Sequence, residues 1–295
     1  MVQTILLSTA VFLRILSNPL ANVFQKQLTI KGHHPILINF LTHVILAILC
    51  LALIAPVDFH LLSFEFWKYS VLAGIAGALG NGFLVKSLQK GDLSVLGPIN
   101  AYKSVVGIIV GIFLLAEIPN MWGIAGIGLI IYGSYFVLDT SEDRFTWALL
   151  KRSEIQYRIW AMILTAIEAV FIKKIILVSS PAIAFISWCW FGAFFSFFLL
   201  FIYRFKLRLE LNKLRSKGSI KYLYLVVCIG TMQLTTNYVF DNMQVGYALS
   251  LFQLSTIVSV LFGYKIFREK NIYKKLIGSA IMFIGSIVII LLKGH

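Results

Sequence analysis

The sequence predicts an all-α polytopic membrane protein, with ten transmembrane helices arranged as two inverted five-helix repeats. Three observations carry this. The 295 residues are 59% hydrophobic and only 13% charged, whereas soluble domains are roughly half apolar and about a quarter charged. Mean hydropathy is +0.89, and the apolar residues fall in blocks close to the ~20 residues that cross a bilayer as a helix. The second half of the chain also repeats the pattern of the first. One continuous helical bundle fits these blocks better than separate soluble domains.

The predicted spans are residues 4–26, 36–55, 68–87, 93–116, 121–138, 158–177, 182–203, 221–241, 247–266 and 273–292. In lipid each helix satisfies its own backbone, so side chains decide its facing, and polar residues at i, i+4, i+7 or i+8 share one stripe. Span one holds Arg14, Asn18, Asn22 and Gln25 on such a stripe, with Pro19 kinking the helix beside it. It lacks a small-residue cleavage pattern and reads as a true span, not a removed signal. Span two is intermediate, with Asn39, Thr42 and His43 near its start. Span three carries Ser70, Gly74, Gly77 and Asn81, and span four Asn100, Lys103, Gly107 and Gly111. Span six carries Thr165 and Glu168, span eight Gln233, Asn237, Asp241 and Gln244, and span nine Gln253, Thr256, Ser259 and Gly263.

Spans five, seven and ten lack this pattern. Span seven, IAFISWCWFGAFFSFFLLFIY, is aromatic nearly all round and faces lipid or a second subunit, which is compatible with a homodimer. Spans one, three, four, six, eight and nine therefore surround a polar centre, and five, seven and ten form a jacket. Small and polar stripes also serve as helix-packing faces. That plainer reading suits Asn81, Asn100, Ser259 and the glycines, and a lone His43 reads as a packed residue. Cys50, Cys189 and Cys228 lie in apolar runs at a spacing that fits no metal site, so they read as small buried hydrophobes.

Residues 152 apart align: Gly111 with Gly263, Glu117 with Glu269, Gly126 with Gly278, Gly133 with Gly285, Ser134 with Ser286. At a spacing of 147, Val23, Phe24 and Lys26 meet Val170, Phe171 and Lys173. This gives repeats at 1–140 and 155–295. Five spans is an odd number, so direct continuation places the second repeat upside down, a transporter signature with the site near the midplane.

The segments GPINAYKSVVGIIVGIFLLAEIPNMWGIAGIGLIIYGSYFVL (97–138) and SLFQLSTIVSVLFGYKIFREKNIYKKLIGSAIMFIGSIVIILL (250–292) resemble the closing half of an EamA-type domain, a member of the drug/metabolite transporter superfamily. That domain ends in a polar-started span, a Leu-Gly-Glu-like turn and a closing span with spaced glycines. The resemblance implies a ten-helix secondary transporter and names no substrate. Here Ala116 and Arg268 stand where the pattern often has Gly before the Glu.

Three charges lie well inside the predicted spans: Arg14, Lys103 and Glu168. Each costs roughly 2.5–3.5 kcal/mol at a helix centre on insertion scales, and such residues face a water-filled cavity or one another. The alternatives are a structural ion-pair cluster and a transport role. A carboxylate in low dielectric can take up and lose a proton near neutral pH, which makes Glu168 the proton-coupling candidate. Its surroundings, AIEAVFIKK, are similar to the first helix of the small multidrug-resistance proteins, where a membrane glutamate is shared between protons and cationic drugs. Lys103 points the other way: a lysine in span four resembles the sugar-phosphate and nucleotide-sugar branch of the superfamily, which binds anions. Glu117 and Glu269 sit at span ends, where capping a tight turn is sufficient reason for them.

The expected solute site is Arg14, Asn18, Lys103, Glu168, Gln233 and Asn237, binding a small molecule with membrane lipid around the bundle and no metal or cofactor. The leading reading is a secondary active transporter of a small metabolite, amino acid or drug-like solute. The alternatives are a flippase for a lipid-linked substrate, an organic-anion or phosphorylated-metabolite exchanger using Lys103 and Arg14, and a channel, for which no filter motif is present. No nucleophile–base pair, HExxH, paired carboxylates or phosphate loop points to an enzyme. The net charge of +14 sits in short loops between spans, which argues against nucleic acid. Of the 26 Lys and Arg, 20 lie on the side of Lys90 and Lys275 and 4 on the side of Lys68 and Lys293, leaving out Arg14 and Lys103. Positive charge stays in the cytoplasm, so this count places a cell-membrane protein with both termini outside. The related family is usually drawn the other way.

Overall fold

The computed structural model describes residues 2–54, 58–100, 102–118, 120–138, 150–202, 219–269 and 272–291. Most of the two long connections lies outside the described residues. So do Arg144, Arg204, Lys206, Arg208, Lys213, Arg215, Lys217, Lys270 and Lys293 of the charge count, and the side chains of Ser134 and Ser286.

The described chain is helical, without strands: α1 (Val2–Ile30), α2 (Pro35–Leu49), α3 (Phe64–Lys90), α4 (Leu93–Ile99), α5 (Tyr102–Leu115), α6 (Met121–Leu138), α7 (Ser153–Leu177), α8 (Pro181–Ile202), α9 (Ser219–Asn242), α10 (Val245–Leu251), α11 (Ser255–Phe267) and α12 (Ile272–Leu291). A short helical turn, Leu51–Ile54, continues α2. Local chemistry sets several boundaries. His34 caps α2 with Pro35 at its first position, and Ser63 caps α3 by accepting the Phe66 N–H at 3.3 Å. Gly32, at φ +86°, supplies the left-handed residue that turns α1 into α2.

The long helices Val2–Ile30, Phe64–Lys90, Pro181–Ile202, Ile220–Asn242 and the joined segment Val245–Phe267 are long and apolar enough to cross a membrane. α7 is long enough, but it carries Arg158, Glu168, Lys173 and Lys174. Its charges avoid lipid because α3, α5 and α9 enclose it.

Two predicted spans differ from expectation. Span four is broken after Ile99 into α4 and α5, just past Gly97-Pro98; proline removes a backbone donor and so weakens the helix there. Span nine is broken by a 3₁₀ turn, Phe252–Leu254, between α10 and α11. Each break falls at the same place in its half.

The packing pairs one half against the other. α3 lies along α7, α1 along α9, α6 along α12, and α2 along α8. α5 touches α7 as α11 touches α1, and α4 touches α11 as α10 touches α5. Gln3 donates to Asn242 at 3.1 Å, and Lys221 donates to Gln27. The start of α1 therefore lies beside the end of α9, and the start of α9 beside the end of α1.

α6 and α12 form an outer pair whose Trp122, Ile124, Tyr132, Tyr273 and Ile284 are exposed, as expected of spans five and ten. Span seven does not belong wholly to the jacket. α8 exposes Trp190, Phe194, Phe197, Phe198 and Phe201, but it buries Phe185, Ser187, Trp188, Cys189 and Ser196. Small residues on its neighbours admit it: Ser187 donates to Ser70 at 2.7 Å, Asn39 donates to Ser196 at 2.9 Å, and a Cβ at Gly74 would meet Phe191. Cys50 and Cys189 are buried and all three cysteines are free.

Candidate functional site

α7 is the axis of the site. Its residues Arg158, Ala161, Thr165, Glu168 and Ile172 recur at three- and four-residue steps, so they share one face. That face lines a narrow cavity of about 70 Å³ between α1, α3, α5, α7, α8, α9 and α10.

Glu168 is 5% exposed. Trp188 Nε1 donates to its Oε1 at 2.7 Å, and a Cβ at Gly77 would overlap the carboxylate. Gly77 is thus the gap on α3 that lets a charged side chain sit between two closely packed helices. Lys103, just past the break in span four, faces the same cavity and interacts electrostatically with Glu168, Arg14 and Arg158. No hydrogen bond or ion pair within 4.0 Å joins Lys103 to Glu168 among the described residues. The alternative of an ion-pair lock between Lys103 and Glu168 is absent as a direct contact among the described residues.

Arg14 is 7% exposed and enters from α1. Its Nε donates to Thr236 Oγ1 at 2.7 Å, and its guanidinium lies 4.7 Å from the Phe252 ring centroid, a cation–π distance. Its Nη1 is buried without a hydrogen-bond partner among the described residues. Asn18 and Gln233 also line the cavity. Asn237 is 0% exposed and stands behind it: its side chain accepts from Gln233 Nε2 at 2.9 Å and donates to Pro181 O at 3.1 Å. Five of the six expected residues therefore share one cavity, and Asn237 orients Gln233 from outside it. His43 is packed, as its plainer reading has it: Nδ1 donates to Asn39 O at 3.0 Å and the ring lies 4.6 Å from that of Trp188.

Arg158 and Trp188 are among the lining residues that escaped the sequence reading. Arg158 is expected at the very start of span six, on the basic side, but α7 starts at Ser153 and places it in the cavity at 4% exposure, with Nε donating to Leu96 O at 2.8 Å. The signal was available, because Arg158 extends the Thr165–Glu168 stripe backwards at helical spacing. Trp188 was lost among aromatic neighbours, and only Ser187 and Ser196 hint at an inward face.

A family model described as the EamA-like transporter family matches residues 8–139 and again 153–291. No curated protein matches. A solved structure described only as "Crystal structure of protein" is 15% identical, covers 97% of this chain and 97% of its own, and superposes with a TM-score of 0.68. At that identity the likeness shows the fold alone. Apolar helices long enough to span a membrane, packed around a charged cavity and matched twice by one family model, make this chain a multi-pass membrane protein that belongs to the EamA-like transporter family.

Proposed function

We propose that the chain is a secondary active transporter that carries a small solute through the central cavity by rocking its two halves about it. The observation that supports this most is the convergence of Arg14, Lys103 and Glu168, from three helices of both halves, on one cavity. Charges that served only to hold helices together would pair directly, since an unpaired buried charge is costly; among the described residues these three do not. The helix pairings support reading the halves as inverted repeats, because exchanging α1, α2, α3, α4–α5 and α6 for α7, α8, α9, α10–α11 and α12 carries each of the principal packed pairs into another or into itself. The two broken helices exchange likewise, and discontinuous helices build the sites of inverted-repeat transporters.

Glu168 is the proton-coupling group in this reading. It is held by one neutral donor and by no cation within hydrogen-bond distance, so it can gain and lose a proton without breaking an ion pair. In proteoliposomes with an imposed pH gradient, Glu168→Gln should lose gradient-driven uptake while retaining its elution profile and thermal stability. Unchanged flux and pH dependence in this variant would remove the coupling role.

The basic side is placed in the cytoplasm of the cell membrane, with both termini outside; a C-terminal tag accessible to a non-permeant label in intact cells would support this, and protection of the tag would reverse it. The exposed aromatic face of α8 is the surface through which a homodimer would form.

A further inference from the structure

We infer that the solute taken by this cavity is a small organic anion, held by Arg14, Lys103 and Arg158; the inference rests on the transporter reading above and names its substrate class. Four ionisable side chains line the cavity: Arg14 from α1, Lys103 from α5, and Arg158 and Glu168 from α7. Three are cations and one is a carboxylate. With all four ionised the lining carries two positive charges in excess, and among the described residues none of the three cations is ion-paired within 4.0 Å.

The manner in which the arginines are held adds to this. Each is fixed through Nε: Arg158 by Leu96 O at 2.8 Å, and Arg14 by Thr236 Oγ1 at 2.7 Å. Anchoring a guanidinium by Nε positions it and leaves its outer nitrogens for another acceptor. For Arg14 that vacancy is direct, since Nη1 is buried and unpartnered in a residue more than nine-tenths buried. Buried polar groups without partners are rare in folded proteins and call for an explanation. A planar guanidinium matches a carboxylate or phosphate in geometry as well as in charge, and an ammonium such as Lys103 adds a second point of attraction.

Like charges gathered in low dielectric repel one another. A ligand bearing one or two negative charges relieves that repulsion, and a cationic ligand adds to it. Glu168 alone would favour a cation, but its field is opposed by Lys103, which it faces across the cavity. The remaining polar lining, Asn18, Asn81, Asn100 and Gln233, supplies neutral amides suited to a hydroxyl or carbonyl on the same molecule. The narrow open space sets the size at a head group of a few heavy atoms.

The test uses the purified full-length chain at constant ionic strength and three probes of matched length: glutarate, its neutral diamide and diaminopentane. Glycerol phosphate is a fourth probe and separates phosphate from carboxylate recognition. Thermal unfolding and calorimetric titration are the readouts. Saturable stabilisation by glutarate or glycerol phosphate, absent with the diamide and the diamine, is the expected result. That affinity should fall at least tenfold in Lys103→Gln and in Arg158→Gln. Equal or greater stabilisation by the diamine or the diamide would overturn the anion class and leave the cavity itself in place as a binding site. A response to no probe would also overturn it, and the transporter reading then stands or falls separately on solute counterflow in proteoliposomes. The comparison of probes on the wild-type chain keeps the test decisive if a variant fails to fold.

Discussion

The two ends of the bundle follow one plan and are closed by different chemistry. At the end where α1 finishes, Glu269 crosses to the other half and accepts the Leu93 N–H that opens α4, at 2.8 Å. It also takes Lys26 Nζ at 3.3 Å. Lys26 donates as well to Gly91 O at 3.0 Å. At the opposite end Glu117 crosses over and accepts the Val245 N–H that opens α10, at 3.0 Å. The lysine counterpart there, Lys173, donates to the carbonyls of Phe240 and Met243. The first end thus holds a buried lysine–glutamate ion pair, whereas at the second Lys173 is held by carbonyls and has no ion pair within 4.0 Å among the described residues. The lesson is that a repeat can preserve the shape of a joint while changing what holds it. Capping a helix start needs only an acceptor, whereas the ammonium can be satisfied by charge or by carbonyls.

Breaking the ion pair should have the largest effect. Lys26→Ala removes one cation from the buried Glu269 carboxylate, and removing one partner of a buried pair costs about 3–5 kcal/mol. Thermal unfolding in detergent should show Lys26→Ala as clearly the less stable of the two lysine variants. Next comes Lys173→Ala, which deprives two carbonyls of a donor and should cost about 1–3 kcal/mol. Equal losses in the two variants would mean that the ends do not differ energetically. Glu117→Gln keeps an acceptor for the Val245 N–H but turns a charge-assisted bond into a neutral one, and should cost about 1–2 kcal/mol. Glu269→Gln should be the costlier of the two, and chemical denaturation of both side by side would sharpen the contrast.

The smallest effect is a gain. Ala116 and Arg268, each just before its glutamate, adopt φ of 55° and 58°. A left-handed conformation costs a residue with a Cβ roughly 1–2 kcal/mol, and glycine escapes that cost. Ala116→Gly and Arg268→Gly should each raise the unfolding temperature slightly. A fall in either would show that the side chain contributes more than the backbone strain removes.

These joints also show what the sequence could and could not reveal. The departure from glycine at Ala116 and Arg268 was visible in the chain, and so were the paired glutamates, because both sit at fixed offsets. That each carboxylate reaches across to the other half was not, since capping looks the same in sequence whichever helix is capped. The membrane class and the polar stripes of α1, α3, α7 and α9 were legible because lipid leaves only side-chain pattern to set a helix's facing. Arg158 was misplaced because hydropathy marks where apolar residues begin, and α7 begins five residues earlier. Trp188 was hidden because an aromatic side chain suits lipid and cavity alike, and only its neighbours His43 on α2 and Glu168 on α7 decide between them. The break at Asn100 had a proline to announce it; the break at Phe252 had none.

The seam between α6 and α12 has a mechanical consequence. A methyl added at Gly133 would strike the backbone of Gly278, and one added at Gly285 would strike that of Gly126. The two helices, one from each half, therefore approach main chain to main chain at these points, with Met282 and Leu129 packed over the two glycines. Helices in such close backbone contact resist being pulled apart. Under the proposed rocking of the halves, this peripheral seam would serve as the axle that keeps one half from coming away from the other.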